Sequence, residues 1–246
     1  MEDGPALGTI NLIPSPLIVE QLCTLPLDFL WMDMEHGPQT VPDLGVAAGI
    51  CMGRGINPLV RVPVAEDWAV KWTLDQGLGG IIYPFINTPE EAGRAISASK
   101  YPPAGHRGYF PDVAAARWGL QIGPYFEAAN DEITVVLQIE HRDAVERVEE
   151  IAALDGWDIL FVGPMDLSIS YGKRGEVDDP EISAAIDRVL RAAHDAGRFA
   201  GILAVDPDAV RRRRDEGFDF LALNPDIGII GRAFGTYWDE IDKALS

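Results

Sequence analysis

Short apolar runs alternate with amphipathic stretches eight times along this 246-residue chain, and this alternation restricts the possible folds more than any other feature. The apolar runs, in chain order, are LGTINLI, DFLWMDM, PLVRVP, GIIYPFI, ITVVLQIE, DILFVGP, FAGILAV and DFLALN. They are continuously apolar, as is typical of parallel strands that are buried on both faces. Strands that alternate with helices pair in parallel through right-handed crossovers. Eight such units in this length favour a single closed (β/α)8 TIM barrel, and a doubly wound open sheet is the alternative.

The chain contains no stretch that resembles a linker, so we interpret residues 1–246 as one domain. The longest irregular stretch, residues 101–132, is interpreted as an elaborated loop rather than as a domain boundary. Cys23 and Cys51 fall in helix-like segments without a CxxC motif or a paired histidine. This pattern predicts core packing of the two thiols rather than a disulfide or a zinc site.

Charge and hydropathy argue against several kinds of partner. The formal net charge is −19, so nucleic acid and anionic membrane surfaces would be repelled. The N-terminal segment has no signal-peptide pattern, and no apolar run reaches the roughly 20 residues that a membrane span needs. We therefore expect a cytoplasmic protein that acts on small molecules.

Polar residues lie at the predicted strand exits, where an active site is expected. In a (β/α)8 barrel the carboxyl ends of the strands and the loops that follow them form the active-site face. Residues from different strands therefore converge on one mouth. The candidate functional residues at this face are Asp33, Glu35, His36, Arg61, Gln138, Glu140, Gly163, Met165 and Asp166.

Glu140 and Asp166 form the candidate metal site. They follow neighbouring strands, which would bring two carboxylates to one point with no cysteine nearby. Oxygen ligands that leave room for water and substrate suit Mg²⁺ or Mn²⁺ better than zinc. The alternative is that each carboxylate only caps the turn or helix that follows it.

His36 and Arg61 are the other candidate catalytic groups. Histidine titrates near neutral pH, so His36 is the candidate general base, although a structural hydrogen-bonded role is the alternative. Arg61 lies inside a predicted strand, where an unpaired guanidinium would be costly. It therefore either forms an internal salt bridge or binds an anionic substrate such as a carboxylate.

The lysines argue against a Schiff-base mechanism. None of the four lysines, Lys71, Lys100, Lys173 and Lys243, ends a predicted strand, and only Lys173, in the loop after the sixth strand, could serve as a Schiff-base lysine. A Schiff-base enzyme needs a desolvated amine beside the substrate carbonyl. If the barrel makes or breaks carbon–carbon bonds, metal assistance is the better interpretation.

Five stretches together resemble the HpcH/HpaI aldolase family, and they are MDMEHGP, PLVRVP, YPPAGHRG, LQIEHRDAVE and VGPMDLS. They follow the family's order over nearly the whole chain. The resemblance implies a barrel of the phosphoenolpyruvate/pyruvate type that reversibly cleaves a 4-hydroxy-2-oxo acid. The expected products are pyruvate, or a close 2-oxo acid, and an aldehyde. The implied cofactor is a divalent metal ion, with Mg²⁺, Mn²⁺ and Co²⁺ as the candidates.

The resemblance also implies catalytic roles for three residues. His36 is similar to the family's catalytic base, and Arg61 to the arginine that contacts the substrate and stabilises the transition state. Asp75 falls where the family has an acid that raises the basicity of the histidine. The family commonly forms hexamers, as trimers of dimers, with C-terminal helices exchanged between neighbours.

The remaining roles implied by the resemblance concern metal and substrate. Glu140 and Asp166 are similar to the metal ligands, and Asp166 also lies in the substrate-binding turn. Gln138, Gly163 and the backbone at Met165 are similar to substrate contacts.

Departures from the family pattern bear on the aldehyde. Met165 and His141 replace smaller residues, and residues 109–111 are bulkier than in many relatives. Two other functions remain open, a citrate-lyase-like acyl-CoA lyase and a non-catalytic protein that binds oxo acids.

Overall fold

Eight parallel strands form one closed barrel, which confirms the predicted (β/α)8 architecture over the open sheet. The structure is a computed structural model and describes residues 4–245. The strands are β1 (Ala6–Asn11), β2 (Phe29–Asp33), β3 (Asn57–Arg61), β4 (Gly80–Tyr83), β5 (Thr134–Ile139), β6 (Ile159–Val162), β7 (Phe199–Ala204) and β8 (Phe220–Leu223). Each strand pairs with the next one along the chain, and β8 pairs with β1 to close the barrel.

Helices connect the strands on the outside of the barrel. They are α1 (Pro16–Leu22), α2 (Val41–Met52), α3 (Asp67–Leu74), α4 (Pro89–Ser99), α5 (Asp112–Arg117), α6 (Ile122–Glu132), α7 (Arg142–Glu146), α8 (Val148–Ala152), α9 (Pro164–Ser170), α10 (Pro180–Asp195), α11 (Pro207–Glu216) and α12 (Asp226–Leu245). The interpretation of residues 101–132 as a loop was wrong in part, because this segment contains α5 and α6. Gly123 and Pro124 obscured the helical pattern of α6, but in its first turn both are tolerated.

Local sequence signals explain where several helices begin. At the start of α4, the Thr88 hydroxyl accepts a hydrogen bond from the backbone N–H of Glu91. The Glu91 carboxylate in turn accepts one from the N–H of Thr88, which completes a capping box. Pro89 occupies the first helical position, where no N–H partner is required.

The barrel interior is filled by aromatic side chains. Phe29 and Phe220 stack near the amino ends of their strands, with ring centroids 3.8 Å apart. Above them Trp31 contacts Phe161 edge to face at 4.9 Å. This aromatic layer lies between a cavity at the amino end of the barrel and the mouth at its carboxyl end.

Cys23 and Cys51 are free and buried, as predicted. Their Sγ atoms are 3.7 Å apart, so the thiols contact each other between α1 and α2 without a disulfide bond. Among residues 4–245, no helix is both long enough and apolar enough to cross a membrane.

Asp226 anchors the start of α12 to the loop after β1. Its buried carboxylate accepts hydrogen bonds from the Asn11 side chain at 2.7 Å and from the backbone N–H groups of Leu12 and Ile13 at 3.0 and 3.1 Å. It also accepts one from the N–H of Ile227. One buried carboxylate thus joins the loop after the first strand to the helix that follows the last strand.

We expect Asp226→Ala to lower the free energy of unfolding by about 3 kcal/mol, because several buried donors would lose their acceptor. Urea denaturation followed by circular dichroism would measure the change. Asp239→Ala, at an exposed position of the same helix, is the matched control and should be close to neutral. Equal losses in the two variants would contradict the anchoring role.

Candidate active site

A cavity of about 210 Å³ lies at the carboxyl end of the barrel. Its lining includes the predicted residues Asp33, His36, Arg61, Gln138, Gly163, Met165 and Asp166. These seven residues therefore lie together at one mouth, as the strand-exit argument predicts, whereas Glu35 and Glu140 are not among the lining residues.

Arg61 is held in place by an ion pair across neighbouring strands. Asp33 and Arg61 are register partners in β2 and β3, so their side chains emerge side by side. Arg61 Nε donates to Asp33 Oδ1 at 3.0 Å, and Nη2 donates to Asp33 Oδ2 at 2.5 Å. The guanidinium also lies over the Trp31 ring, 5.4 Å from its centroid. Bidentate pairing of this kind fixes both the position and the plane of the guanidinium.

Asp33 also shapes the turn that carries His36. Its Oδ1 atom accepts hydrogen bonds from the backbone N–H groups of Glu35, at 3.0 Å, and His36, at 3.3 Å. Glu35 Oε2 lies 3.0 Å from Arg61 Nη1 and 3.8 Å from His36 Nε2. Burial raises the pKa of Glu35, although the neighbouring Arg61 guanidinium opposes this shift. The sequence assigns no role to Asp33 or Glu35. The register pairing of Asp33 with Arg61 is the signal that identifies Asp33 as the partner of the guanidinium.

Glu140 is a buried carboxylate at the end of β5 with 1% exposure. Its Oε1 accepts a hydrogen bond from the Phe85 backbone N–H at 2.9 Å, and its Oε2 accepts one from the Gln138 side chain. Phe85 has a φ of 49°, a conformation that a bulky side chain rarely adopts. Burial raises the pKa of Glu140 to about 7, and the carboxylates of Glu35 and Asp166 add to the shift. The role of the Phe85 backbone has no signal in the sequence.

Asp166 and Met165 lie in the first turn of α9, which the sequence interpretation treated only as a turn. Asp166 is half-buried and lies near enough to Glu140 to raise its pKa electrostatically. Gly163 precedes this helix, and a Cβ there would lie 2.5 Å from Glu140 Oε2 and 3.1 Å from Gln138 Nε2. Glycine is therefore required for the exit of β6 to approach the carboxylate this closely.

The charge balance of this cluster fits a bound cation. Asp33, Glu35 and Glu140 act electrostatically on the Arg61 guanidinium, and Asp166 acts on Glu140. With all four carboxylates ionised against one guanidinium, the cluster would have a formal balance of −3. Glu35 Oε2 and Gln138 Oε1 are buried without a hydrogen-bond partner among the described residues. Within residues 4–245, no group of three or more His, Cys, Asp or Glu side chains is arranged to hold a metal. The predicted pair of carboxylates would instead leave most coordination positions to water and substrate oxygens, as is common for Mg²⁺.

His36 lies at the rim of the cavity with 62% of its side chain exposed. The structure does not bring Asp75 to it. Asp75 follows the last turn of α3, and its carboxylate pairs with the buried Arg107 guanidinium at 2.8 Å. Within one chain, Asp75 therefore makes no contact with His36 through which it could raise the basicity of the imidazole in the way that the resemblance implies.

Two further polar residues near the mouth are engaged elsewhere. His141 caps α7 by accepting a hydrogen bond from the N–H of Asp143 at 3.2 Å. Lys173 lies 3.1 Å from both Asp179 and Glu181, which form ion pairs with it.

Comparison with known proteins supports the resemblance seen in the motifs. The family model described as HpcH/HpaI aldolase/citrate lyase matches residues 13–232. A hydroxypyruvate/pyruvate aldolase of Paraburkholderia phytofirmans is 37% identical, over 98% of this chain and 94% of its own length. A 5-keto-4-deoxy-D-glucarate aldolase of Enterobacter sp. is 35% identical, over 96% of this chain and 92% of its own length.

Solved structures agree with this relationship. The crystal structure of an HpcH/HpaI aldolase/citrate lyase family protein from Burkholderia cenocepacia superposes with a TM-score of 0.90. It is 33% identical and covers 97% of this chain and 95% of its own. An HpcH/HpaI aldolase from Desulfitobacterium hafniense, 29% identical, gives a TM-score of 0.89 and covers 98% of this chain and 93% of its own. The chain belongs to the HpcH/HpaI aldolase/citrate lyase family.

Proposed function

We propose that this protein is a divalent-metal-dependent aldolase. It reversibly cleaves a 4-hydroxy-2-oxo acid to pyruvate, or a close 2-oxo acid, and an aldehyde. The observation that carries this proposal is the convergence of Asp166, Arg61 and His36 on one small cavity, with Glu140 buried directly behind the lining residues Gln138 and Gly163. The aldolase names of relatives that match almost the whole chain support it.

Glu140 and Asp166 are the proposed ligands of Mg²⁺, Mn²⁺ or Co²⁺, which supplies Lewis-acid polarisation of the 2-oxo group when bound. Gln138, Gly163 and the backbone at Met165 are the proposed contacts of the oxo acid. Gln138 is suited to this role because it lines the cavity and its Nε2, which donates to Glu140 Oε2, has a second N–H that can donate to an oxygen of the oxo acid.

Arg61 stabilises the negative charge that develops on the 2-oxo oxygen as the bond between C3 and C4 breaks. Its two hydrogen bonds to Asp33 use two of the five guanidinium N–H donors. Nη1 also faces Glu35, which leaves N–H donors of Nη1 and Nη2 that point elsewhere for a substrate oxygen, and the ion pairs with Asp33 and Glu35 prevent the guanidinium from turning away.

His36 accepts the proton of the 4-hydroxyl group, either directly or through a water molecule. The electron pair of the C3–C4 bond moves toward the 2-oxo group, the aldehyde leaves, and protonation of C3 yields the 2-oxo acid. The exposed rim position of His36 allows it to exchange its proton with solvent between turnovers.

The test is pyruvate release from a panel of 4-hydroxy-2-oxo acids, coupled to NADH oxidation by lactate dehydrogenase. We expect release that is lost in EDTA and restored by excess Mg²⁺ or Mn²⁺. Turnover that requires CoA would support the acyl-CoA lyase instead. Oxo-acid binding without any turnover would support the non-catalytic protein.

We also propose a homo-oligomer, with a hexamer built as a trimer of dimers as the expected form. Apart from its anchor Asp226, no residue of α12 is buried, and Phe234, Tyr237 and Trp238 are largely exposed. An apolar surface of this kind on a projecting helix is typical of a subunit interface. Sedimentation equilibrium should give a mass of several chains for the protein and a smaller mass for the double variant Phe234→Ser and Trp238→Ser. A monomeric parent protein would contradict this proposal.

A further inference from the structure

The two halves of the cavity differ in polarity. Going around the barrel, the side chains contributed by β2, β3 and β5 and their exits are polar, and Asp33, Arg61 and Gln138 are among them. Asp166, which follows β6, also belongs to the polar half. The remaining side chains from the exit of β6 through β7 and β8 to β1 form an apolar wall. This apolar wall consists of Met165, Leu203, Pro225 and Leu12.

The proposed chemistry assigns the polar half to the 2-oxo acid, because the carboxylate and oxo groups need the guanidinium and the cation. The reacting aldehyde, or the part of the substrate beyond C4, then extends along the apolar wall. Arg61 is the one lysine or arginine among the described residues that line the cavity. An aldehyde that carries a carboxylate would therefore have no second lysine or arginine in the described lining of the cavity with which to pair.

Met165 limits the space along the apolar wall. Its side chain is 51% exposed and lines the cavity. Gly175 lies close to its thioether, because a Cβ at this glycine would be 3.0 Å from the Met165 Sδ atom. Gly175 has a φ of 94°, so a residue with a side chain is disfavoured there by conformation as well as by space. The loop after α9 thus holds the thioether at the edge of the mouth.

The geometry points to Met165 as the residue that sets the size of the aldehyde, and to short, uncharged aldehydes as the preferred class. This inference rests on the proposed aldolase function. The cavity of about 210 Å³ is smaller than the roughly 300–1,000 Å³ of most ligand pockets, which agrees with small reactants. A methionine side chain is flexible enough to follow the shape of a short chain but occupies the space that a longer one needs.

The experiment measures kcat/KM for aldol addition of pyruvate to three aldehydes, with magnesium present. Glycolaldehyde and hexanal are a short and a long uncharged acceptor, and glyoxylate is a short one with a carboxylate. We expect the parent protein to prefer glycolaldehyde over both others. Met165→Ala should raise the ratio of hexanal to glycolaldehyde about tenfold, as removal of steric exclusion in a pocket usually does.

Met165→Leu is the matched control, since it preserves apolar volume and should keep the ratio of the parent protein. An unchanged ratio in Met165→Ala, equal shifts in the Ala and Leu variants, or a preference for glyoxylate would overturn the inference while leaving the aldolase function intact. A parent protein that consumes pyruvate with none of the aldehydes would overturn the proposed function, and this inference with it.

Discussion

Replacement of Glu140 by glutamine is expected to abolish divalent metal binding and aldolase activity together. The amide keeps an oxygen that can accept the hydrogen bond from the Phe85 N–H. Its NH2 group would face Gln138, whose amide can turn so that Oε1 accepts in place of the present Nε2 donor, and the local packing is then preserved. It removes the negative charge that makes this buried position attractive to a cation. A bound cation contributes several kcal/mol of transition-state stabilisation, and about 4 kcal/mol corresponds to a loss of roughly a thousandfold in kcat/KM.

Isothermal titration with Mn²⁺ would measure the metal affinity, and coupled pyruvate release would measure the activity. Glu132→Gln provides the control, because Glu132 is an exposed carboxylate at the end of α6, near the amino ends of the strands. It should bind Mn²⁺ and turn over substrate as the parent protein does. If Glu140→Gln bound Mn²⁺ with the parent affinity, Glu140 would not be a metal ligand.

The strands and the polar residues at their exits could be predicted from the sequence because each depends on a local pattern. Buried parallel strands are short and continuously apolar, so each predicted run overlaps a strand in the structure. The shared carboxyl face then follows from parallel pairing alone. This is why Arg61, Gln138 and Asp166 were correctly placed around one cavity.

The contacts among these residues could not be predicted in the same way, because they depend on register and on backbone conformation. The pairing of Asp33 with Arg61 requires the alignment of β2 with β3, and the bond from Phe85 to Glu140 requires a left-handed backbone. Asp75 shows the limit of spacing along the chain. A helix between parallel strands runs back toward their amino ends, so the residue that follows α3 is carried away from the mouth.

Arg61 offers the second test, in which activity should fall while metal affinity does not. Arg61→Met removes the guanidinium but keeps an apolar chain that can pack on the Trp31 ring. The developing charge on the 2-oxo oxygen would lose its donor, which in other enzymes costs about 10²- to 10³-fold in kcat. Loss of a positive charge beside Glu35 and Glu140 should at the same time maintain or increase the affinity for Mn²⁺.

A buried arginine also stabilises its partners, so the fold of the variant must be checked. Asp33 and Glu35 would lose their ion pairs, and we expect a loss of about 3 kcal/mol in the free energy of unfolding. Assays below the new unfolding midpoint separate this effect from catalysis. Arg213→Met is the control, since Arg213 is also buried and pairs with Glu216 at 2.7 Å on α11. It should lower stability without lowering kcat, whereas an unchanged kcat in Arg61→Met would mean that Arg61 only holds the turn after β2.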